Sequence, residues 1–468
     1  MRKKSRKRFQ APDMACTGIV LIGFVSAPVY MFNFKWGKLL QNLAGSNVQP
    51  TGIHVALLQL WFLIPFYLLA VFVVFRKLAR LSRTPGLTIF VFIAAVFFRI
   101  CLLPTTPVLS SDVYRYVWDG RLQEHGINPY LLPPAAKKLT ALRDRQIYPH
   151  INRRDHPTVY PAGAQIFFFL AHGITGDSIY RLKAILVACD VLTLVLLLGI
   201  LRASGLEAIR LLVYAWNPVV IYEIAHSGHL EALMILLVLL AFYLAARHRS
   251  TLAVLSLAAA AASKFYPALL FPALVVRGER VKLTMLFCSA LLVSYIPYMA
   301  AGSKVLGFLP TYLTSPYESF NLGLKHYLMQ LFPAIDYFFL SKVFAAVLVL
   351  VALFVFTKDK NFNDMLKYSY LLISVYLLLM PAAFHPWYLL WLIPLLAFYP
   401  SPAWLLFSGT VVFSYLKYVS PRGLMPGWVV GLEYIPLFIL LTVECVRIHG
   451  TTHPWFPWMA KNSLPERR

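Results

Sequence analysis

Residues 110–130 read SSDVYRYVWDGRLQEHGINPY and stand between two apolar runs, at about 86–104 and about 180–202. Each run is long enough to cross a bilayer. The stretch between them holds two aspartates, a glutamate, two arginines, a histidine, an asparagine and four tyrosines or tryptophans. Working outward, further apolar runs fall at about 15–34, 54–75, 207–225, 229–246, 283–300, 335–357, 366–382 and 428–447. Shorter ones lie at about 250–263, 265–276, 386–399 and 402–417. The 468 residues are 59% hydrophobic and 13% charged with a mean hydropathy of +0.68, which excludes an ordinary soluble domain. The pattern predicts an all-α polytopic membrane protein, a bundle of about 12–14 transmembrane helices with interfacial helices in its first large external loop.

The net charge of +24 could suggest nucleic acid, but the basic residues gather in short loops and at the ends. RKKSRKR, RKLARLSR, RASGLEAIR, ARHR, RGERVK and KDKNFNDMLK all fall on one side of the bundle, which the positive-inside rule makes cytoplasmic. Both termini are then cytoplasmic, and residues 105–179 and 301–334 form large extracytoplasmic loops. The segment YPAGAQIFFFLAHGI (160–174) is too short for a comfortable span and is expected to lie along the membrane. Residues 1–85 read as a basic tail and a first hairpin, and 86–468 as the main membrane domain. The basic N-terminus precedes an apolar run without a small-residue cleavage site, and KWGKLLQ follows, so the first span is expected to remain uncleaved. The five scattered cysteines show no metal-ligand spacing and no disulfide framework.

Within the opening stretch, SSD is a helix N-cap signal, and no Pro or Gly interrupts the next seven residues. Asp112, Arg115, Tyr116 and Asp119 then share one face at i, i+3, i+4 and i+7. Val113, Val117 and Trp118 lie off that face, so an amphipathic helix at the outer surface is expected. Its charges would read as no more than a solvated, self-paired face were it not for the other external ends. IYPHINRRDHPTVYPAGAQ (147–165), HSGHLEA (226–232), SKFYP (263–267), NLGLKHY (321–327) and FHPWY (384–388) are all polar and aromatic on the same side, which points to a shared cavity. Lys264 breaks a run of alanines, and an ionisable residue there marks a functional site by default.

Those blocks, with WNPVVIYEIAHSGHLEAL (216–233), SKFYPALLFP and FHPWYLLWLIPLL, resemble the bacterial polyprenyl-phosphate-mannose-dependent mannosyltransferases of the GT-C glycosyltransferase superfamily. The resemblance runs from about 86 to 435. It implies a GT-C-like bundle in the bacterial inner membrane with an extracytoplasmic active site. A hexose, mannose by the family, would pass from a polyprenyl-phosphate donor to a hydroxyl of a glycan or glycolipid. The family's acid follows a span in the first large external loop, which here is Asp112. The loop follows the third span rather than the first, and HSGHLEAL carries Leu-Glu where the family leads one to expect Asn-Asp, which leaves the role of Glu231 open.

Such a transfer needs a base for the acceptor proton, cations for the leaving phosphate and an apolar groove for the prenyl chain. Asp112 is assigned as the base, while Asp119 either orients the acceptor or holds Arg115. Arg115, Arg121 and Lys264 are assigned to the phosphate, with Arg153 and Arg154 in reserve; Arg121 could instead reach headgroups. His226, His229, Glu231 and His385 are candidates for sugar or phosphate, favoured over a divalent-metal site because Ser-Gly between the first two histidines suits a turn. Trp118, Tyr130, Tyr160, Trp387 and Tyr388 either stack on sugar or anchor at the interface, and Tyr116 belongs with the polar face. Asn128-Pro129 and Trp216-Asn217-Pro218 are expected to shape a turn and a helix kink, with Asn128 also within reach of the sugar. No cofactor, nucleic acid or obligate protein partner is implied; the partners are the lipid-linked sugar, the acceptor and the bilayer. A transporter of lipid-linked sugars would place polar groups at the midplane and on both sides, unlike this sequence. A scaffold for envelope assembly would leave Asp112 dispensable. No Gly-rich stretch ending in Gly-Lys-Ser or Gly-Lys-Thr is present for nucleotide hydrolysis.

Overall fold

A computed structural model describes residues 14–32, 51–314, 320–321, 323–381, 383–420 and 424–449. The basic N-terminal tail, KWGKLLQ and the C-terminal stretch beyond 449 lie outside the described residues, as do 315–319 and 322 of the second external loop. The described elements are helical, with one isolated bridge between Phe320 and Ala383. In chain order they begin with α1 (Met14–Met31), α2 (Gly52–Arg76) and α3 (Pro85–Leu102). The first external loop carries α4 (Asp112–Glu124) and α5 (Ala162–Thr175). Then come α6 (Ile179–Ala203), a pair α7 (Ala208–Ala215) and α8 (Pro218–His226) bent by 61°, α9 (Glu231–Ala246) and α10 (Ser250–Ser263). A second pair, α11 (Arg277–Ser294) and α12 (Ile296–Tyr312), is bent by 88°. The chain ends with α13 (Tyr337–Thr357), α14 (Phe362–Leu379), α15 (Pro402–Thr410) and α16 (Gly427–Val446).

Among the described residues six helices (α1, α2, α3, α6, α13, α16) have the length and apolarity of a span, or up to eight counting each bent pair as one. That is fewer than the apolar runs alone suggest, and proline is a large part of the reason. The run at 265–276 contains Pro267 and Pro272 and folds as short helical turns, Tyr266–Leu270 and Phe271–Leu274. The run at 386–399 contains Pro386 and Pro394 and forms two more, Pro386–Leu389 and Ile393–Ala397. Proline removes a backbone donor and crowds the preceding turn; two close together break each of these segments into single turns, whereas the lone Pro65 is carried inside α2. The kink expected at Trp216-Asn217-Pro218 is present. Asn217 caps α8 by accepting from the N–H of Val219 at 3.0 Å and of Val220 at 3.3 Å.

The core that holds these helices contains a deeply buried ion pair. Arg99 of α3 and Asp190 of α6, both fully buried, meet at 2.5 Å. Arg99 also donates to the carbonyls of Ala95 and Ala215, at 3.0 and 2.9 Å, and Tyr214 donates to Asp190 at 2.6 Å. Three helices are thus tied by an ion pair and the hydrogen bonds around it, the kind of pairing that lets charge be buried in a membrane. The first hairpin packs into the same core: Gln59 of α2 donates to Val29 O of α1 at 2.9 Å and accepts from Tyr222 of α8 at 2.6 Å.

The helix α4 is not the surface element that its amphipathic pattern suggests, since all residues from Val113 to Leu122 are buried. Its charges are paired internally and α5 covers it. On α5, Ala164, Phe168 and Ala171 face inward while Phe169, Leu170 and Ile174 are exposed, the division of a helix lying in an interface.

Asp190→Ala would strand the Arg99 guanidinium. We expect a loss of roughly 3–5 kcal/mol, most of it recovered by the double replacement Arg99→Leu/Asp190→Leu. Thermal unfolding in detergent measures both, and equal stability of the single and double variants would contradict the assignment.

Candidate active site

The N-terminus of α4 opens onto a cavity of about 1330 Å³. Its walls come from the first external loop, the turn after α10, the end of α12, mid-α13 and the turn at 385–388. Asp112 is the one carboxylate among the described lining residues, and Arg115, Arg153 and Lys264 are its strong cations. Asn152 donates to Asp112 Oδ1 at 2.7 Å, and the other carboxylate oxygen lies 3.8 Å from His229 Nδ1. Burial alone pushes the Asp112 carboxyl up, but His229, Lys264 and the Asn152 hydrogen bond hold it below the usual carboxylate range.

The cations are placed in different ways. Arg115 pairs with fully buried Asp119 at 2.8 Å and donates to His156 O at 3.2 Å, while its Nη2 has no protein partner. Asp119 also accepts from Gln165 Nε2 at 2.9 Å, so it orients Arg115 and does not line the cavity. Lys264 follows the last turn of α10 in extended backbone, and its ammonium meets Glu231 Oε1 at 2.5 Å. Arg153 has φ +49°, a left-handed conformation uncommon for a side-chain-bearing residue, and its guanidinium stands 5.3 Å over the Tyr312 ring. The Tyr312 wall is fixed to the first loop by Phe308 N–H donating to Thr158 O at 2.9 Å. Gly307 makes that approach possible: its φ is +54°, and a Cβ there would lie 1.9 Å from Thr158 O.

The aromatic wall is a stack. Trp387 lies between His385, at 4.1 Å between centroids, and His229, at 4.3 Å. His385 lines the cavity, and burial pushes its imidazole down to about 3, so it is neutral at any working pH. His229 is fully buried behind the wall.

Several sequence-based assignments are corrected. Arg121 is not a phosphate ligand: it pairs with Asp144 and, at 2.8 Å, with Asp177, and donates to Leu142 O at 2.8 Å, fastening the loop between α4 and α6. Arg154 lies outside the lining, 5.4 Å over the Tyr148 ring. Trp118 and Tyr116 are fully buried core residues, the latter stacked on Phe168 at 4.6 Å. Tyr130 is buried and donates to Tyr160 O at 2.8 Å; Tyr160 itself does line the cavity. Asn128 makes the expected turn by accepting from Tyr130 N–H at 3.1 Å, donates to Tyr298 O at 3.3 Å and does not line the cavity. His226 faces Thr105 Oγ1 at 2.7 Å and accepts from Val108 N–H at 3.3 Å, and it does not join His229 and Glu231 in a metal site. Among the described residues no group of three or more His, Cys, Asp or Glu is arranged to hold a metal ion. Glu231 is buried and bound to Lys264, with Tyr266 3.4 Å away.

The sequence alone does not single out Asn152, Tyr266, Tyr312 and Tyr418 in the lining, or Glu223 behind it. Glu223 had a signal: it is a carboxylate inside the apolar run WNPVVIYEIAH, the pattern that marks a functional position in a membrane helix.

The fold is that of a polytopic helical membrane protein with a large cavity lined from its first external loop, and the family match makes it a glycosyltransferase. Within that class the chain belongs to the alpha-(1->6)-mannopyranosyltransferase family, whose N-terminal domain it matches over residues 14–278, more than half its length. Residues 164–393 also match the family of the GPI transamidase subunit PIG-U. No curated protein and no solved structure matches the chain.

Arg121→Ala would leave Asp144 and Asp177 facing each other without their cation. A loss of about 1–3 kcal/mol is expected, moderated because Asp177 is 55% exposed and screened by solvent. Limited proteolysis of the 137–156 segment should quicken; unchanged cleavage would show that Arg121 does not fasten it.

Proposed function

We propose that this protein transfers a mannosyl group from a polyprenyl-phosphate donor to a hydroxyl of a glycan or glycolipid, with inversion, at the extracytoplasmic end of its bundle. The observation that carries this reading is the placement of Asp112: an ionised carboxylate in a large cavity, with Arg115, Arg153 and Lys264 also in the walls. In the reaction the acceptor oxygen attacks the anomeric carbon as its proton passes to the Asp112 carboxylate. The bond from that carbon to the phosphate oxygen breaks, and the electron pair leaves with the polyprenyl phosphate. Guanidinium groups suit the departing phosphate because they offer paired donors, and Arg115 and Arg153 both line the cavity. Ile53, Leu269 and Leu348 supply apolar wall for the prenyl chain, Leu348 from the middle of α13. Tyr160, Trp387 and Tyr388 offer rings to a sugar face.

The basic loops support the choice of face. Arg210, 5.4 Å over Phe75, joins the far ends of α2 and α7, and Arg277 pairs with Asp359 at 2.5 Å. Ile53, at the other end of the 25-residue α2, lines the cavity. At about 1.5 Å per residue the two ends stand roughly 37 Å apart, the span of a bilayer with its interfaces. Positive-inside placement of the basic end leaves the cavity outside. The family name makes an α-(1->6) linkage the first one to examine.

The test is transfer from synthetic polyprenyl-phosphate-mannose to a membrane lipid extract by the detergent-purified protein. Asp112→Asn keeps the shape but cannot act as a base, so a loss of about a hundredfold or more is expected. Because the Asp112 pKa is lowered, the wild-type acid limb should fall below the usual carboxylate value of about 3.9, with activity flat from about pH 5 to 7. Wild-type turnover by the variant would remove Asp112 from the chemistry.

A further inference from the structure

We infer that Glu223 and His229 form a buried charge-setting pair for Asp112: Glu223 holds an imidazolium behind the cavity wall, and that imidazolium keeps the base ionised. The inference rests on the reading of Asp112 as the base and assigns positioning roles to two residues that do not line the cavity.

The geometry is built from four elements. His229 follows α8 in a tight turn whose Gly228 has φ +77°. A Cβ at Gly228 would meet Lys183 Cγ at 3.0 Å and Val113 Cγ2 at 3.1 Å, so glycine lets this turn press against the first turn of α4. That contact sets His229 Nδ1 3.8 Å from Asp112 Oδ2. On the other edge of the ring, Nε2 stands 3.2 Å from Glu223 Oε2, within ion-pair range although not aligned as a hydrogen bond. Glu223 sits on a π-helical turn, Tyr222–His226, a local widening that recurs at functional sites. Its other oxygen accepts from Tyr415, which fixes the carboxylate and leaves Oε2 for the imidazole. Stacking on Trp387 holds the ring so that its two nitrogens face carboxylates on either side.

Carboxylates reach His229 from three elements, while Lys183 of α6, against the same turn, directs its ammonium to Thr105 O at 2.6 Å. Glu223 faces it from α8, Asp112 from α4, and Glu231, at 3.7 Å, from α9. Lys264 neutralises Glu231 through that residue's other oxygen, and His385, beyond Trp387, is neutral. Burial disfavours an imidazolium, but Glu223, Glu231 and Asp112 outweigh it and raise the His229 pKa. The result is an imidazolium between three carboxylates, one already neutralised, set directly behind Asp112. A proton relay is the weaker alternative, because Glu223 and Tyr415 are buried, at 1% and 0% exposure, and give a proton no outlet to solvent.

The experiment is the pH dependence of kcat and KM for synthetic polyprenyl-phosphate-mannose in the full-length protein, wild type against Glu223→Gln, Glu223→Asp and His229→Gln. Wild type should lose activity on the acid side as Asp112 protonates. Glu223→Gln removes a counter-charge of the buried imidazolium; with less imidazolium beside it, Asp112 protonates more readily, so the acid limb should move up by about one pH unit. The donor KM is unchanged, and Glu223→Asp restores part of the shift. His229→Gln, which takes the imidazolium away altogether, should raise the acid limb at least as far. Each variant must elute as a monodisperse species, and a Glu223→Gln that does not leaves His229→Gln to decide. Active variants with lowered amplitude but an unmoved acid limb would reduce both residues to packing and overturn the inference alone. No transfer by wild type from this donor would overturn the inference together with the function on which it rests.

Discussion

A carboxylate set in the wall of a membrane protein remains ionised only if compensating charge is built beside it, and the rest of this structure follows from meeting that condition at Asp112. Burial works against the charge; Asn152, Lys264 and the His229 imidazole work for it. None of these groups neighbours Asp112 in sequence. They arrive from the first external loop, the end of α10 and the turn after α8, so the charge balance exists only when the helices are packed. The charge state of Asp112 and folding are therefore coupled.

The packing that delivers them relies on paired polar groups in the membrane core. Arg99, Asp190 and Tyr214 lock α3, α6 and α7 together, and α3 leads directly into the loop that carries Asp112. Lys183 of α6 donates to Thr105 O at 2.6 Å, which ties the end of α3 to the same core. From there Asp119 and Gln165 orient Arg115, and Arg121 closes the loop over α5. The residues on α4 thus divide their labour: Asp112 and Arg115 reach the cavity, whereas Tyr116, Trp118, Asp119 and Arg121 hold the helix in place.

That division marks the limit of what the sequence discloses. Polar, aromatic clusters at successive span ends on one side do report a shared cavity, and Asp112, Arg115, Lys264, Arg153, Tyr160, His385 and Trp387 do line one. The helical spacing of Asp112, Arg115, Tyr116 and Asp119 is also legible, because periodicity fixes which residues share a face. Periodicity does not say what covers that face. Asp144 and Asp177, which hold Arg121, and Gln165, which holds Asp119, stand far along the chain from α4, so an internal clasp and a phosphate ligand read alike. Apolar length overstates the number of long spans for a related reason: length is visible, whereas the break that each proline imposes depends on how the chain turns around it. Glu223 lies in plain view inside an apolar run, yet its role emerges only when His229 is seen between it and Asp112.

The central claim is that the donor's phosphate lies beside Arg115 with its anomeric carbon facing Asp112. The most direct measurement is an electron cryomicroscopy structure of the Asp112→Asn protein with a non-transferable polyprenyl-phosphonate mannose analogue. Phosphonate density is expected within hydrogen-bonding distance of the Arg115 guanidinium, with the sugar between the substituted side chain at position 112 and the Trp387 wall, and the prenyl chain running toward Leu348. A phosphonate held at the basic end of the bundle, near Arg277 and Arg280, with the cavity at position 112 free of sugar, would contradict it.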